Sequence, residues 1–325
     1  MDHAFITRLG LHAGVLALLV AAVASARPAP GTTPWPATPP PPAAPASARA
    51  TPAASPHPAS AAKVGATSPL RGTLLDAEIS SPTIGKSLPY RVYLPPDYET
   101  NPGRHYPVLY MLHGIGGNYT EWSDSFLPER ADELIARGEI PPLIIVMPDG
   151  SGPTYWANWP DGGPRWADYV ANDVVQIIDQ RYRTVAAPES RAIGGLSMGG
   201  LGALTIALRH PDVFGIVGGH SPSLRLEPDP ALWFLVGDNF DQHSPLRLVE
   251  ERDDAQRLMM WLDVGAEDVW RPNIEAFRSV VERRGLRVRW HVFPGQHESE
   301  YWIEHVPDYL RFYAEALRGS DGLGL

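Results

Sequence analysis

The run Gly195-Leu196-Ser197-Met198-Gly199 carries the sharpest chemical signal in the chain. It fits G-x-S-x-G, a pattern that sets a serine at the tip of a tight turn between a strand and a helix, with its hydroxyl free. Such a turn strains the serine backbone and crowds the residues two before and two after it, so both must be small. Both are glycine here. An apolar run, Arg191–Leu196, precedes the motif, and an Ala/Leu-rich stretch, Leu201–Leu208, follows it, which reads as strand, turn, helix. The free N–H groups of that helix favour negative charge beside Ser197. Phosphate-binding patterns fail on inspection. No G-K-[ST] follows the glycines, and the G-x-G-x-x-G that begins at Gly114 and Gly116 breaks at Tyr119.

A serine nucleophile implies acyl transfer, and acyl transfer develops charge on a carbonyl oxygen. Two backbone N–H groups usually hold that oxygen. One is expected from Met198, the residue after the serine. The other is expected from Ile115, in the glycine-rich loop His113-Gly114-Ile115-Gly116-Gly117-Asn118. His113 is read as a buttress of that loop rather than a base. The remaining partners should follow in the order acid, then histidine. Asp268 lies just past the strand-like run ending Asp263-Val264-Gly265-Ala266-Glu267, with Asp263 and Glu267 as rivals. His297 follows the last strand-like run and is the expected proton carrier. His220 follows the sixth and is a candidate to face the substrate pocket. His210, His291 and His305 are assigned to packing or surface. In Tyr155–Trp159 and beyond, Trp159 and Trp166 are candidates either to stack on a flat ligand or to pack the loop. His297-Glu298 opens like the zinc pattern H-E-x-x-H, but position 301 is Tyr, so no metal and no cofactor are expected.

These groups need a scaffold. Eight strand-like runs are expected: 72–80, 88–94, 106–112, 143–147, 191–196, 214–218, 259–264 and 288–293. The middle ones, such as Val108-Leu109-Tyr110-Met111-Leu112, are apolar throughout, as in a parallel sheet covered on both faces. Helical patterns fall between them at 129–137, 166–181, 198–209, 273–284 and 308–318. The alternation predicts one α/β domain over 71–325, a mostly parallel eight-stranded sheet with helices on both faces.

Ahead of it, residues 1–26 read as a secretion signal: Arg8, an apolar core from Val15 to Val23, and Ala24-Ser25-Ala26 as a small-x-small cleavage site. An uncleaved membrane anchor is the alternative. Residues 27–70 hold 13 of the 35 prolines and read as an extended spacer. The chain has no cysteine, which excludes disulfides, thiolate metal sites and a cysteine nucleophile. Net charge is −10, with +3 on the spacer and −13 on 71–325, which disfavours nucleic acid as a partner.

Taken together, Tyr90-Arg91-Val92-Tyr93-Leu94-Pro95-Pro96, Leu109-Tyr110-Met111-Leu112-His113-Gly114 with Trp122, Gly195 to Gly200, Gly265 to Asp268, and Pro294-Gly295-Gln296-His297 with Trp302 resemble the esterase D-like "putative esterase" family of α/β-hydrolases. The feruloyl and xylan-esterase branch is the most similar, and mycolyltransferases and S-formylglutathione hydrolases are related. The resemblance implies the α/β-hydrolase fold, a triad of Ser197, Asp268 and His297, and oxyanion donors Ile115 and Met198. It implies a serine esterase acting on small-molecule or carbohydrate-linked esters, and the signal pattern of residues 1–26 adds that it is exported. Transfer of the acyl group to a sugar or lipid hydroxyl is the alternative. Glu298 departs from the Asp found after the histidine in many relatives.

Overall fold

The computed structural model describes residues 70–318. The expected signal and nearly all of the spacer lie outside them, as do residues 319–325. Eight strands form one sheet: β1 (Thr73–Ser81), β2 (Lys86–Leu94), β3 (Val108–Leu112), β4 (Ile144–Pro148), β5 (Arg191–Leu196), β6 (Ile216–His220), β7 (Met259–Gly265) and β8 (Arg287–Phe293). Their spatial order is β1-β2-β4-β3-β5-β6-β7-β8. The β1–β2 hairpin runs antiparallel, and every pair from β4 to β8 is parallel.

The helices are α1 (Glu121–Asp124), α2 (Leu127–Ala136), α3 (Trp166–Asp168), α4 (Val175–Arg181), α5 (Met198–Arg209), α6 (Gly237–His243), α7 (Pro245–Glu251), α8 (Arg271–Arg283) and α9 (Ser299–Arg318). Side chains alternate across a strand, so the all-apolar run of β3 feeds two cores. Val108, Tyr110 and Leu112 join one core, with Leu201 and Leu204 of α5 and Ile274 and Phe277 of α8. Leu109 and Met111 join the other, with Leu127 and Leu134 of α2 and Tyr309 and Phe312 of α9. Helix α5 is buried along its whole length from Met198 to Leu208, which fixes the serine turn at its head against the sheet.

Two expected elements differ. The helix expected over 166–181 is interrupted by a π-turn, Tyr169–Val174. That turn includes the buried Asp173, which accepts hydrogen bonds from Thr83 and Ser81 of the β1–β2 hairpin. The last helix begins at Ser299, nine residues before the expected start, and carries Pro307 inside it. Its aromatic face, including Tyr301, Trp302, Tyr309 and Tyr313, is buried on both sides of the proline. Packing on that scale outweighs the roughly 3 kcal/mol that an interior proline costs.

The chain leaves β3 toward β4 on one side and later enters β5 on the other. The crevice between the carboxyl ends of β3 and β5 is therefore the switch point of the sheet, where α/β folds place their ligands.

Candidate active site

Ser197 stands at that switch point. Its backbone is in the left-handed region, φ 51° and ψ −114°. For a non-glycine residue this costs about 1–3 kcal/mol and persists only when neighbours enforce it. Here they do. The Ser197 amide donates to the His220 carbonyl at 3.1 Å, and the Ser197 carbonyl accepts from Ser223 at 3.0 Å and Leu201 at 3.1 Å. The flanking glycines leave no room for a side chain. A Cβ on Gly195 would lie 2.4 Å from the Gly199 backbone, and one on Gly199 would lie 2.3 Å from the Leu112 carbonyl oxygen.

The hydroxyl of Ser197 is 2.8 Å from His297 Nε2. His297 Nδ1 is 2.8 Å from Asp268 Oδ2. These side chains come from loops after β5, β7 and β8. The two later loops are braced together: Ala266 donates to the Phe293 carbonyl at 2.7 Å and Glu267 to that of Gly295 at 3.1 Å. The Glu267 carboxylate in turn accepts from the Gly295 amide at 3.2 Å. Glu267 is thus occupied in holding the histidine loop.

Burial works to raise the Asp268 carboxyl pKa, but hydrogen bonds from His297, Ser221 and the Trp270 amide outweigh it and hold the group below its ordinary value. No motif in the chain singles out Ser221. It sits in the left-handed region at φ 46°, directly after β6, and its hydroxyl donates to Asp268 Oδ2.

The expected oxyanion loop leaves β3 beside the serine turn, since Leu112 pairs with Gly195. Met198 opens α5, so its amide has no partner within the helix. The Ile115 amide meets no acceptor among the described residues, and its side chain is exposed. Two devices hold the loop. His113 is buried, which lowers its imidazole pKa; it pairs through Nδ1 with the Gly114 carbonyl at 2.8 Å and accepts the Gly150 amide on Nε2 at 2.9 Å. Glu121 accepts the Gly114 amide at 2.6 Å, and burial raises its carboxyl pKa.

His220 stands elsewhere than expected, and Trp159 and Trp166 both pack, one of their two expected roles. His220 does not face a pocket: it is fully buried, 2.9 Å from both Asp263 Oδ2 and the Tyr313 hydroxyl, and stacked on Tyr309. Trp166 is buried, with the Lys86 ammonium over its ring, so no face remains for a flat ligand. Trp159 has one face stacked on Phe234, with ring centroids 4.8 Å apart, and lines a cleft flanking α5. Asp263 is also fully buried and accepts from Trp261, Tyr301, Tyr309 and His220. Among the described residues, no group of three or more His, Cys, Asp or Glu side chains is placed to hold a metal ion.

The arrangement can pass a proton from a hydroxyl to an imidazole beside two free amides. Known proteins share both its fold and its sequence. A solved ferulic acid esterase is 27% identical, with a TM-score of 0.69, over 75% of this chain and 99% of its own. The S-formylglutathione hydrolase of Agrobacterium tumefaciens, 21% identical with a TM-score of 0.65, shares the fold over 77% of this chain and 97% of its own. An esterase of Mycobacterium tuberculosis is 38% identical over 149 residues, 45% of this chain and 31% of its own length. An endo-1,4-beta-xylanase/feruloyl esterase of Xylanibacter ruminicola is 33% identical over 188 residues, 54% of this chain and 25% of its own. The chain thus spans about a third or less of these two curated relatives. The family model described as "putative esterase" matches residues 81–313, most of the described α/β-hydrolase fold, and the chain belongs to that family.

Proposed function

We propose that this protein is a serine esterase that hydrolyses carboxylic esters through an acyl-enzyme. The observation that carries the reading is the chain of two 2.8 Å hydrogen bonds from Ser197 through His297 to Asp268, built on a strained turn. Ser197 attacks the ester carbonyl and His297 takes its proton through Nε2. The amides of Met198 and Ile115 receive the oxyanion. The alcohol departs with the proton from His297, leaving the acyl group on Ser197. Water, deprotonated by the same imidazole, then releases the acid. Asp268 accepts from Nδ1, fixes the tautomer and stabilises the imidazolium.

The proposed substrates are esters whose alcohol is a carbohydrate. The relative named as both an endo-1,4-beta-xylanase and a feruloyl esterase supports this class, and the solved ferulic acid esterase supports an aromatic acyl group. Export rests on the pattern of residues 1–26 and is proposed on that ground alone.

Labelling with a fluorophosphonate probe, together with turnover of p-nitrophenyl acetate and methyl ferulate, tests the reading. Both activities should vanish in Ser197→Ala and persist in Ser221→Ala. Folded wild-type protein that neither labels nor turns over any of these esters would overturn it.

A further inference from the structure

Arg225 lies outside the hydroxyl–imidazole–carboxylate arrangement, yet its guanidinium reaches three of the loops packed around it. The side chain is 12% exposed, so little of it is open to a substrate. Its nitrogens are committed within the protein. Nη1 donates to the Ser223 carbonyl at 2.8 Å, Nη2 to the Tyr155 hydroxyl at 2.9 Å, and Nε to Asp229 Oδ2 at 3.2 Å. The same guanidinium lies over two rings, 4.6 Å from the centroid of Tyr155 and 4.8 Å from that of Trp270. Only a flat cation with several fixed donors can make all of these contacts at once.

Each of the three inner contacts is one step from the site. Ser223 follows β6, and its amide donates to the Ser197 carbonyl at 3.0 Å. Trp270 follows β7, and its amide donates to Asp268 Oδ1 at 2.7 Å. Tyr155 follows β4, and its neighbour Trp156 donates its indole N–H at 3.2 Å to the carbonyl of His113, the residue that opens the oxyanion loop. Tyr155 and Trp156 both stand in the left-handed region, at φ 52° and 54°. Two such residues in a row are strained and keep that backbone only while their surroundings enforce it. Trp156 is fully buried against α5, where a Cβ on Gly202 would lie 2.5 Å from it. Arg225 holds the Tyr155 end. The fourth contact, Asp229, is the exposed one, its carboxylate 38% open, and contributes least.

The serine and the acid must stay apart by the distance that one imidazole spans. They arise from loops after β5 and β7, with β6 between them. A side chain that grips Ser223 on the serine side and Trp270 on the acid side fixes that distance across the intervening strand. We propose that Arg225 is a positioning residue of the esterase reaction, setting the separation of Ser197 and Asp268 and steadying the oxyanion loop through Tyr155 and Trp156. It touches no substrate. The assignment rests on the serine-esterase reading above.

The test compares full-length variants. Arg225→Met keeps an apolar stem and removes every donor. Arg225→Lys keeps the charge but replaces the flat fork by a point donor. In both, kcat on p-nitrophenyl acetate, counted per site titrated with a fluorophosphonate, should fall about 10- to 100-fold while KM stays within about twofold. A misplacement of about 1 Å costs about 10²-fold, which sets the upper end. The low-field proton shared by His297 Nδ1 and Asp268, followed by proton NMR, should move or broaden away in both. Arg278→Met is the control. It also loses a ring contact, with Trp290, and a carboxylate partner, Glu282, and should leave both kcat and that signal in place. Tyr155→Phe is the milder variant if Arg225→Met does not fold. It keeps the ring, loses one acceptor, and should lower kcat about three- to tenfold, the scale of one hydrogen bond. Combined with Arg225→Met it should add nothing.

Per-site kcat at the wild-type level with an unmoved signal, in Arg225→Met or in Tyr155→Phe, would overturn the assignment. Full activity in Arg225→Lys would do so by showing that charge suffices. A raised KM with unchanged kcat would do so by placing Arg225 in substrate binding. Wild-type protein that fluorophosphonate cannot label would instead remove the esterase reading, and this assignment with it.

Discussion

Glu121 gives the sharpest test of how the oxyanion loop is held. Its carboxylate accepts the Gly114 amide at 2.6 Å, one residue before the Ile115 amide proposed to meet the oxyanion. Gly117 presses on the same carboxylate, since a Cβ there would lie 2.7 Å from it. Glu121→Ala removes the acceptor and leaves a gap against a loop rich in glycine. A hydrogen bond to a charged group is worth about 1.5–3 kcal/mol. If all of that is lost in the transition state, kcat falls about 10- to 150-fold. Loss of a whole oxyanion donor, about 10²–10³, sets the ceiling. Ground-state binding does not use the loop amide in the same way, so KM should move little. Glu121→Gln keeps an acceptor at the same reach and should retain kcat within about threefold. Burial raises the Glu121 carboxyl pKa, so the ionised form is disfavoured by folding at neutral pH. The Gln variant should therefore be no less stable there. Steady-state kinetics on p-nitrophenyl acetate and thermal melts of the two variants check both statements. Wild-type kcat in Glu121→Ala would refute the positioning role. Equal damage from Gln and Ala would show that charge, not acceptor geometry, is what matters.

Gly195→Ala places a methyl group 2.4 Å from the Gly199 backbone, so stability should drop about 1–3 kcal/mol by urea melt and fluorophosphonate labelling should be lost. Ser221→Ala removes one of the hydrogen bonds that depress the Asp268 carboxyl pKa. A depressed carboxyl contributes stability that is fully present above its unfolded pKa and is lost as pH falls through its folded pKa, so Ser221→Ala should have a lower urea midpoint at neutral pH and lose less of it on acidification than wild type. Asp268→Asn should stay folded and lose about 10⁴ in kcat on p-nitrophenyl acetate. Asp263→Asn should instead lose several kcal/mol by urea melt, because the amide turns its NH2 toward two of the four donors.

The site was legible where chemistry demands a particular residue at a particular place in the chain. Gly195, Ser197 and Gly199 announce the turn because only glycine clears the overlaps it creates. The doubly covered strands announce themselves because nothing polar interrupts β3 or β4. Three-dimensional contacts that leave no periodic trace were not legible. Ser221 looks like any serine in His220-Ser221-Pro222, and only the fold brings it to Asp268. His220 follows a strand in the position of a pocket residue, yet α9 covers it with Tyr309 and Tyr313. The extent of α9 was hidden by Pro307, a local stop signal overruled by burial of the aromatic face on either side. Helices α6 and α7 were not expected at all, being seven residues each and stabilised by their contacts rather than by periodicity.

Two histidine–carboxylate pairs lie close together in this fold, and burial separates their roles. His220 and Asp263 face each other across β6 and β7, sealed from solvent. His297 and Asp268 lie just beyond the same strand ends, with the His297 side chain 22% exposed. The inner pair cannot reach a substrate, and every polar atom it offers is taken by another side chain or by the backbone. Its backbone nevertheless supports the outer pair. The His220 carbonyl accepts the Ser197 amide and the Trp302 indole N–H, and Trp302 stands edge-on to His297 at 4.9 Å. The Asp263 carbonyl accepts the amide of Ser221, whose hydroxyl holds Asp268. Each member of the outer site is thus fixed through a group anchored in the inner one. A rigid buried pair of this kind lets Ser197 keep its strained backbone, because relaxing the turn would break hydrogen bonds that the interior has no water to replace.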